Sequence, residues 1–145
     1  MDSIDRAILN ELTQNGRLTN VELAERVHLT PGPCLRRVQR LEQEKVILGY
    51  RAVTNPAATG RSFVVILDVE LSAFDRESVD RFEVAMAGFD EVVEMHRMFG
   101  SPDYFVRIAV ESLPDYEKFL TESVLTLPGV QKVGSRFTMK TLKSI

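Results

Sequence analysis

The chain is predicted to be α+β, an N-terminal (winged) helix-turn-helix domain followed by a ferredoxin-like β-α-β-β-α-β domain. Three observations predict this. Residues 3–45 carry three apolar runs at helical spacing, broken by turn residues. Beyond residue 60 the period changes, and Phe63, Val65, Leu67, Val69 and Leu71 alternate as in a strand with one buried face. From there strand and helix patterns succeed one another in the split β-α-β order.

The first helix is placed at about Ser3–Gln14, with Ile4, Ile8 and Leu12 on one stripe and Leu9 beside them. Asn15 and Gly16 close it, since both tolerate the left-handed conformation that ends helices. Thr19 and Glu22 make a capping box for a second helix, whose apolar stripe is Val21, Ala24 and Val27, with Leu23 alongside. Thr30 is expected to cap a third helix that has Pro31 at its first position, where the missing N–H is not needed. At about 100° per residue, Cys34, Leu35, Val38 and Leu41 fall on one side of this helix, and Arg36 and Arg40 project from the other. Val46–Tyr50 is expected to be a small strand or wing. Thr54–Gly60, in which Asn55-Pro56 starts a turn, is the best linker candidate. The expected domains are therefore 1–50 and 62–145, joined by 51–61.

In the second domain, Val79, Phe82, Met86 and Phe89 sit at helical spacing after the first strand. Strands at about Glu91–Phe99 and Tyr104–Glu111 flank Gly100-Ser101-Pro102-Asp103, a tight-hairpin composition. Ser112 caps a helix that Pro128-Gly129 stops, and Val130–Met139 is the last strand. Val64, Ile66, Phe105 and Ala109 fall on the sheet face away from the helices. An apolar free face on a small domain predicts homodimerisation.

The totals narrow the function. With 145 residues and 44% hydrophobic content, the chain can bury a core and is not expected to be disordered. No apolar run approaches the roughly 20 residues of a membrane span. An acidic N-terminus without an apolar secretion core and a single cysteine point to a cytoplasmic protein. The net charge of −3 divides unevenly: +1 over residues 1–60, −4 over 61–145, and +3 within 30–41 alone. A surface facing nucleic acid is therefore narrow and local. One cysteine and two distant histidines make no metal signature, and no nucleophile elbow, phosphate loop or HExxH pattern occurs. No cofactor is expected.

The segment Ile4-Asp-Arg-Ala-Ile-Leu-Asn-Glu-Leu12, with Asn15-Gly-Arg17, Val21-Glu-Leu23, Leu29-Thr-Pro31, Pro33-Cys34, Arg37-Val38, Arg40-Leu-Glu42 and Ile47…Gly49-Tyr50, closely resembles the leucine-responsive regulatory protein family, Lrp/AsnC. Gly100…Asp103-Tyr104 and Leu127-Pro-Gly-Val130 are similar to that family's amino-acid-sensing domain. The hairpin departs from the pattern: it reads Gly-Ser-Pro-Asp-Tyr, where a second acid often precedes the final Asp-Tyr. The resemblance implies a transcriptional regulator, not an enzyme, that binds double-stranded DNA through its N-terminal domain. It further implies dimers assembling into larger discs, often octamers, with a small amino acid sensed where neighbouring dimers meet.

Residue by residue, Arg36 and Arg40 suit guanine edges or bridging phosphates. Gly32 and Pro33 start the helix without bulk. Thr30, with Pro31 and the first amides, suits a phosphate. Thr19 and Asn20 are expected to face the sugar-phosphate backbone. Arg37 lies to the side, equally placed for DNA or for a nearby carboxylate. For a zwitterionic effector, amides near Gly100 and Ser101 suit the carboxylate and Asp103 the ammonium, with Tyr104 beside them. The competing role for Asp103 is a turn that only shapes the hairpin. Arg136 and Thr138 would reach the effector from a neighbouring subunit. Cys34 reads as a buried thiol and His28 as a helix-end residue. Two other readings remain open. Some folds of this type are heme-biosynthesis enzymes, for which His96 and Arg97 are the candidates, and others organise chromosomes.

Overall fold

The computed structural model describes residues 1–142, and the chain divides into two compact units between Val53 and Thr54, inside the segment 51–61. In the first unit, α1 (Ser3–Gln14), α2 (Asn20–Arg26) and α3 (Pro31–Gln43) close on Ile8, Leu23, Ala24, Val27, Cys34 and Leu41. Asp2 caps α1 and exchanges reciprocal bonds with Asp5. The Thr19–Glu22 capping box forms as the sequence predicts. Pro31 stands at the start of α3, but the Thr30 side chain makes no capping bond.

Helix ends differ from expectation. Asn15 is extended, and its side chain accepts from the Arg17 N–H at 3.0 Å, so the left-handed ending expected there is not used. Left-handed residues stand instead just after α2 and α3: His28 (φ 57°) and Lys45 (φ 58°). After each, the next amide reaches back to the helix: Leu29 N–H to the Ala24 carbonyl at 2.8 Å, and Val46 N–H to Leu41 at 2.9 Å. Two Schellman endings result, each built on a residue with a Cβ. The expected strand or wing at Val46–Tyr50 is absent; the segment is irregular, with Ile47 packed on the core. Val21 and Leu35 were expected inside and are exposed. The enclosed space is lined on α2 by Leu23, Ala24 and Val27 and on α3 by Cys34 and Leu41, and at about 100° per residue Val21 and Leu35 lie roughly a quarter-turn or more from those centres, in water.

The second unit is a four-stranded antiparallel sheet, order β2-β3-β1-β4, from β1 (Phe63–Leu71), β2 (Val92–Arg97), β3 (Tyr104–Val110) and β4 (Val130–Phe137). With α4 (Arg76–Ala87) and α5 (Leu113–Phe119) it has the ferredoxin-like order. A π-helical stretch, Leu120–Val124, extends α5 and keeps Val124 buried. Alternate β1 residues Val65, Leu67, Val69 and Leu71 pack on Phe82, Met86, Tyr116 and Phe119. The opposite face is less apolar than expected. Val64, Ile66 and Phe105 are half-buried and Ala109 is buried. Between them run the ion pairs Asp68–Arg136 (2.8 Å), Glu94–Arg107 (3.0 Å) and Glu70–Lys132 (3.8 Å).

Candidate functional site

Two sites are built, one in each unit. On α3, Pro33, Arg36, Arg37 and Arg40 line a shallow depression of about 350 Å³. The three arginines are not equivalent. Asp5, on α1, is 1% exposed and accepts from Arg37 at 2.8 Å, from Arg40 at 2.7 Å and from the Asp2 amide at 3.0 Å. Arg37 also holds Asp2 at 2.7 Å, and Arg40 lies 3.9 Å from Glu44. Burial pushes the Asp5 carboxyl up, but the Asp2 amide and the two guanidiniums outweigh it and hold it below the usual range. The Asp5 amide and then Arg37 draw Asp2 down to about 2.

Arg40 is thus not the freely projecting residue that its helical angle suggested, because it turns along the helix flank onto a carboxylate with no water of its own. Arg37 takes the carboxylate alternative. Arg36 is exposed and makes no ion pair among the described residues. The sequence carried the missed signal: Asp5 sits on the α1 stripe with Ile8 and Leu12, where an acid is buried only with a cationic partner.

The neighbouring candidates have local duties. The Thr19 hydroxyl accepts from the Glu22 amide at 3.2 Å and donates to its carboxylate at 2.8 Å. Asn20 donates from Nδ2 to the Pro31 carbonyl at 2.8 Å, tying the start of α2 to the start of α3. Burial raises the Cys34 thiol, in keeping with an inert core residue.

In the second unit the loop between β2 and β3 is closed by the Met98 N–H on the Asp103 carbonyl at 2.8 Å. Gly100 holds φ 112°, which a side chain would resist, and Phe99 is fully exposed. The amides of Gly100 and Ser101 donate to no group among the described residues. Asp103 Oδ2 accepts from the Leu71 N–H at 2.8 Å, clamping the loop to the end of β1. Ser101 Oγ donates to Glu70 at 3.2 Å. Glu70, missed in the sequence because it lies 31 residues away, therefore brings a second acid to the hairpin. Tyr104 points into the core instead: its ring lies 4.8 Å from Phe82 and its hydroxyl donates to Glu83 at 2.8 Å. Burial and that bond push the phenol up to about 12.

Arg136 pairs with Asp68, and its register partner is Ile66, five residues along β1 from Leu71. At 3.3 Å per residue that is about 16 Å from the clamped loop, so Arg136 does not join the hairpin within this chain. Thr138 lies beyond the end of β4 and is exposed. His96 and Arg97 face opposite ways: His96 lies opposite Phe105 on the open face and bonds Glu94 at 2.8 Å, whereas Arg97 reaches Glu83 of α4. They do not form one reactive site.

Residues 1–47 match the family model of a winged helix-turn-helix DNA-binding domain, and residues 64–145 match that of the Lrp/AsnC ligand binding domain. The fold and its two halves define a DNA-binding transcriptional regulator that carries a ligand-binding domain. The chain belongs to the Lrp/AsnC family. It is 39% identical to the leucine-responsive regulatory protein of Escherichia coli K12, over 99% of this chain and 87% of that one. The Haemophilus influenzae protein of the same name is 37% identical over 99% and 86%. A transcriptional regulator from Neisseria meningitidis, solved as a complex with L-methionine, superposes with TM-score 0.94 at 31% identity, covering 99% and 93%. An AsnC family regulator from Agrobacterium tumefaciens gives 0.92 at 31% identity, covering 99% and 94%.

Proposed function

We propose that this protein is a cytoplasmic, sequence-specific DNA-binding regulator, not an enzyme, whose DNA binding or assembly responds to a small amino acid. The amino acid lies between the ligand-binding domains of neighbouring dimers. The observation that carries the reading is the β2–β3 loop, where two unengaged amides stand near two carboxylates, as a zwitterion requires. A bound L-methionine in the similar Neisseria regulator supports an amino acid as ligand. Glu70 and the second oxygen of Asp103 take the ammonium; Gly100 and Ser101 take the carboxylate. Arg136 and Thr138 come from another copy, and the exposed Phe99 and half-open sheet face support assembly to a dimer and a higher oligomer, an octamer in the fullest form. DNA is held through α3 and the starts of α2 and α3, with 51–61 linking the two domains.

A melting screen against the twenty amino acids tests the ligand. A specific one at a hundredfold excess over its dissociation constant adds about 2.7 kcal/mol, and its carboxyl-amidated form does not. No shift with any of them would refute the ligand class. Sequencing the genomic fragments retained by the protein, with and without that ligand, tests the DNA reading. A small set of sites marks a local regulator, and indiscriminate retention marks a chromosome organiser.

A further inference from the structure

We infer that base sequence is read by Leu35, Arg36 and Gln39, while Arg37 and Arg40 brace the helix without choosing bases. This rests on the DNA-binding reading above and divides its candidate residues by role. With Cys34 and Leu41 buried, a spacing of about 100° per residue turns Gly32, Arg36, Gln39 and Gln43 straight outward, with Leu35 on one flank and Arg40 on the other. All of these are exposed, and Gln39 makes no side-chain hydrogen bond among the described residues. Leu35 is an apolar side chain 44% exposed beside a free guanidinium. Gly32 has no positive φ, and a Cβ there would meet nothing within 4 Å. Neither packing nor backbone geometry demands glycine at that position, whereas close approach of a duplex would use it.

Turning either Arg37 or Arg40 to a base edge gives up a short ion pair to a carboxylate that is 1% exposed. Their two charges are also matched by Asp2 and Asp5, so Arg36 is the cation this face offers. The chemistry then assigns partners: the Gln39 amide pairs with adenine N6 and N7, Leu35 covers a thymine methyl, and Arg36 takes guanine O6 and N7. Arg36 and Gln39 are separated by about 4.5 Å along the helix, close to one base-pair step, so their targets are adjacent pairs.

The test selects and sequences binding sites from a randomised duplex pool, using the full-length protein and single variants. Wild type should enrich half-sites with a G·C pair beside an A·T pair. Gln39→Glu should move the adenine preference to cytosine. Arg36→Ala should lose the guanine preference, and each loss should be about tenfold in relative affinity. Arg40→Lys should weaken all sites equally and leave the preferences unchanged. An enriched site indifferent to positions 36 and 39, or an Arg40→Lys variant with altered base preference, overturns the inference alone. Failure of wild type to enrich any sequence overturns the sequence-specific reading as well. All three variants lie on exposed positions, and a melting curve for each shows that the fold is intact.

Discussion

The acid–arginine cluster between α1 and α3 and the ion pairs on the open sheet face have nearly the same bond lengths but different consequences. Asp5 meets Arg37 and Arg40 at 2.8 and 2.7 Å, and Asp68 meets Arg136 at 2.8 Å. Asp5 is 1% exposed, whereas Asp68 is 25% and Arg136 60% exposed. In the first case the carboxylate has given up its water, so its partners are obligatory; in the second, water and salt can replace them. A short distance therefore does not rank an ion pair. Burial does, and it decides which charged residues remain available to a partner molecule.

The largest effect should follow from Asp5→Ala, which removes the shared partner and leaves two clustered guanidiniums. Because both arginines keep some water, the loss should be about 2–3 kcal/mol, below the roughly 3–5 of a fully buried pair. Urea denaturation of the full chain measures it. The folded-state pKa of Asp5 is lowered, so folding binds fewer protons, and the stabilisation is present above the unfolded value of about 3.9 and fades as pH falls through the folded one. The gap between wild type and Asp5→Asn should therefore narrow below about pH 4. A gap that stays constant down to pH 2.5 would place the effect in packing instead.

Asp103 should come next. Removing its carboxylate leaves the Leu71 N–H without a partner in a part-buried place, and Asp103→Ala should cost about 1–2 kcal/mol without ligand. The bond to β1, not a turn within the loop, makes this role structural. The ligand response then separates two jobs: if Asp103 also holds the ammonium, the variant should lose the melting shift at saturation. Smaller, and opposite in sign, is Lys45→Gly. Lys45 holds φ 58° at the end of α3, and relieving that should stabilise by about 0.5–1 kcal/mol.

What was legible in the sequence follows the same division. The α-helical stripes, the capping box at Thr19 and the alternation of β1 are local patterns, and they appear in place. The roles of Arg40, Tyr104 and Asp103 depend on partners 35, 21 and 32 residues away, which no local period encodes. Helical angle located Arg40 on the outer half of α3, but the buried carboxylate of Asp5 on α1 decided its partner. Leu35 shares a helical side with the buried Cys34 and Leu41 yet is exposed, because a place on the stripe does not tell how far the neighbouring helices reach over it.

The smallest expected effect is the most informative about assembly. Arg136→Ala breaks an exposed pair and should change the stability of a dilute sample by less than about 1 kcal/mol. Salt at 1 M should erase that difference, because exposed charges are screened within about 3 Å, while the Asp5→Ala loss should persist. If two copies join through this sheet face, as proposed, Asp68 and Arg136 lose water on association and the pair passes into the class of Asp5. The cost of Arg136→Ala should then grow with protein concentration, together with a weaker sedimentation-measured dimer. A cost that stays small and salt-erased at every concentration, beside an undiminished dimer, would move the interface to another surface.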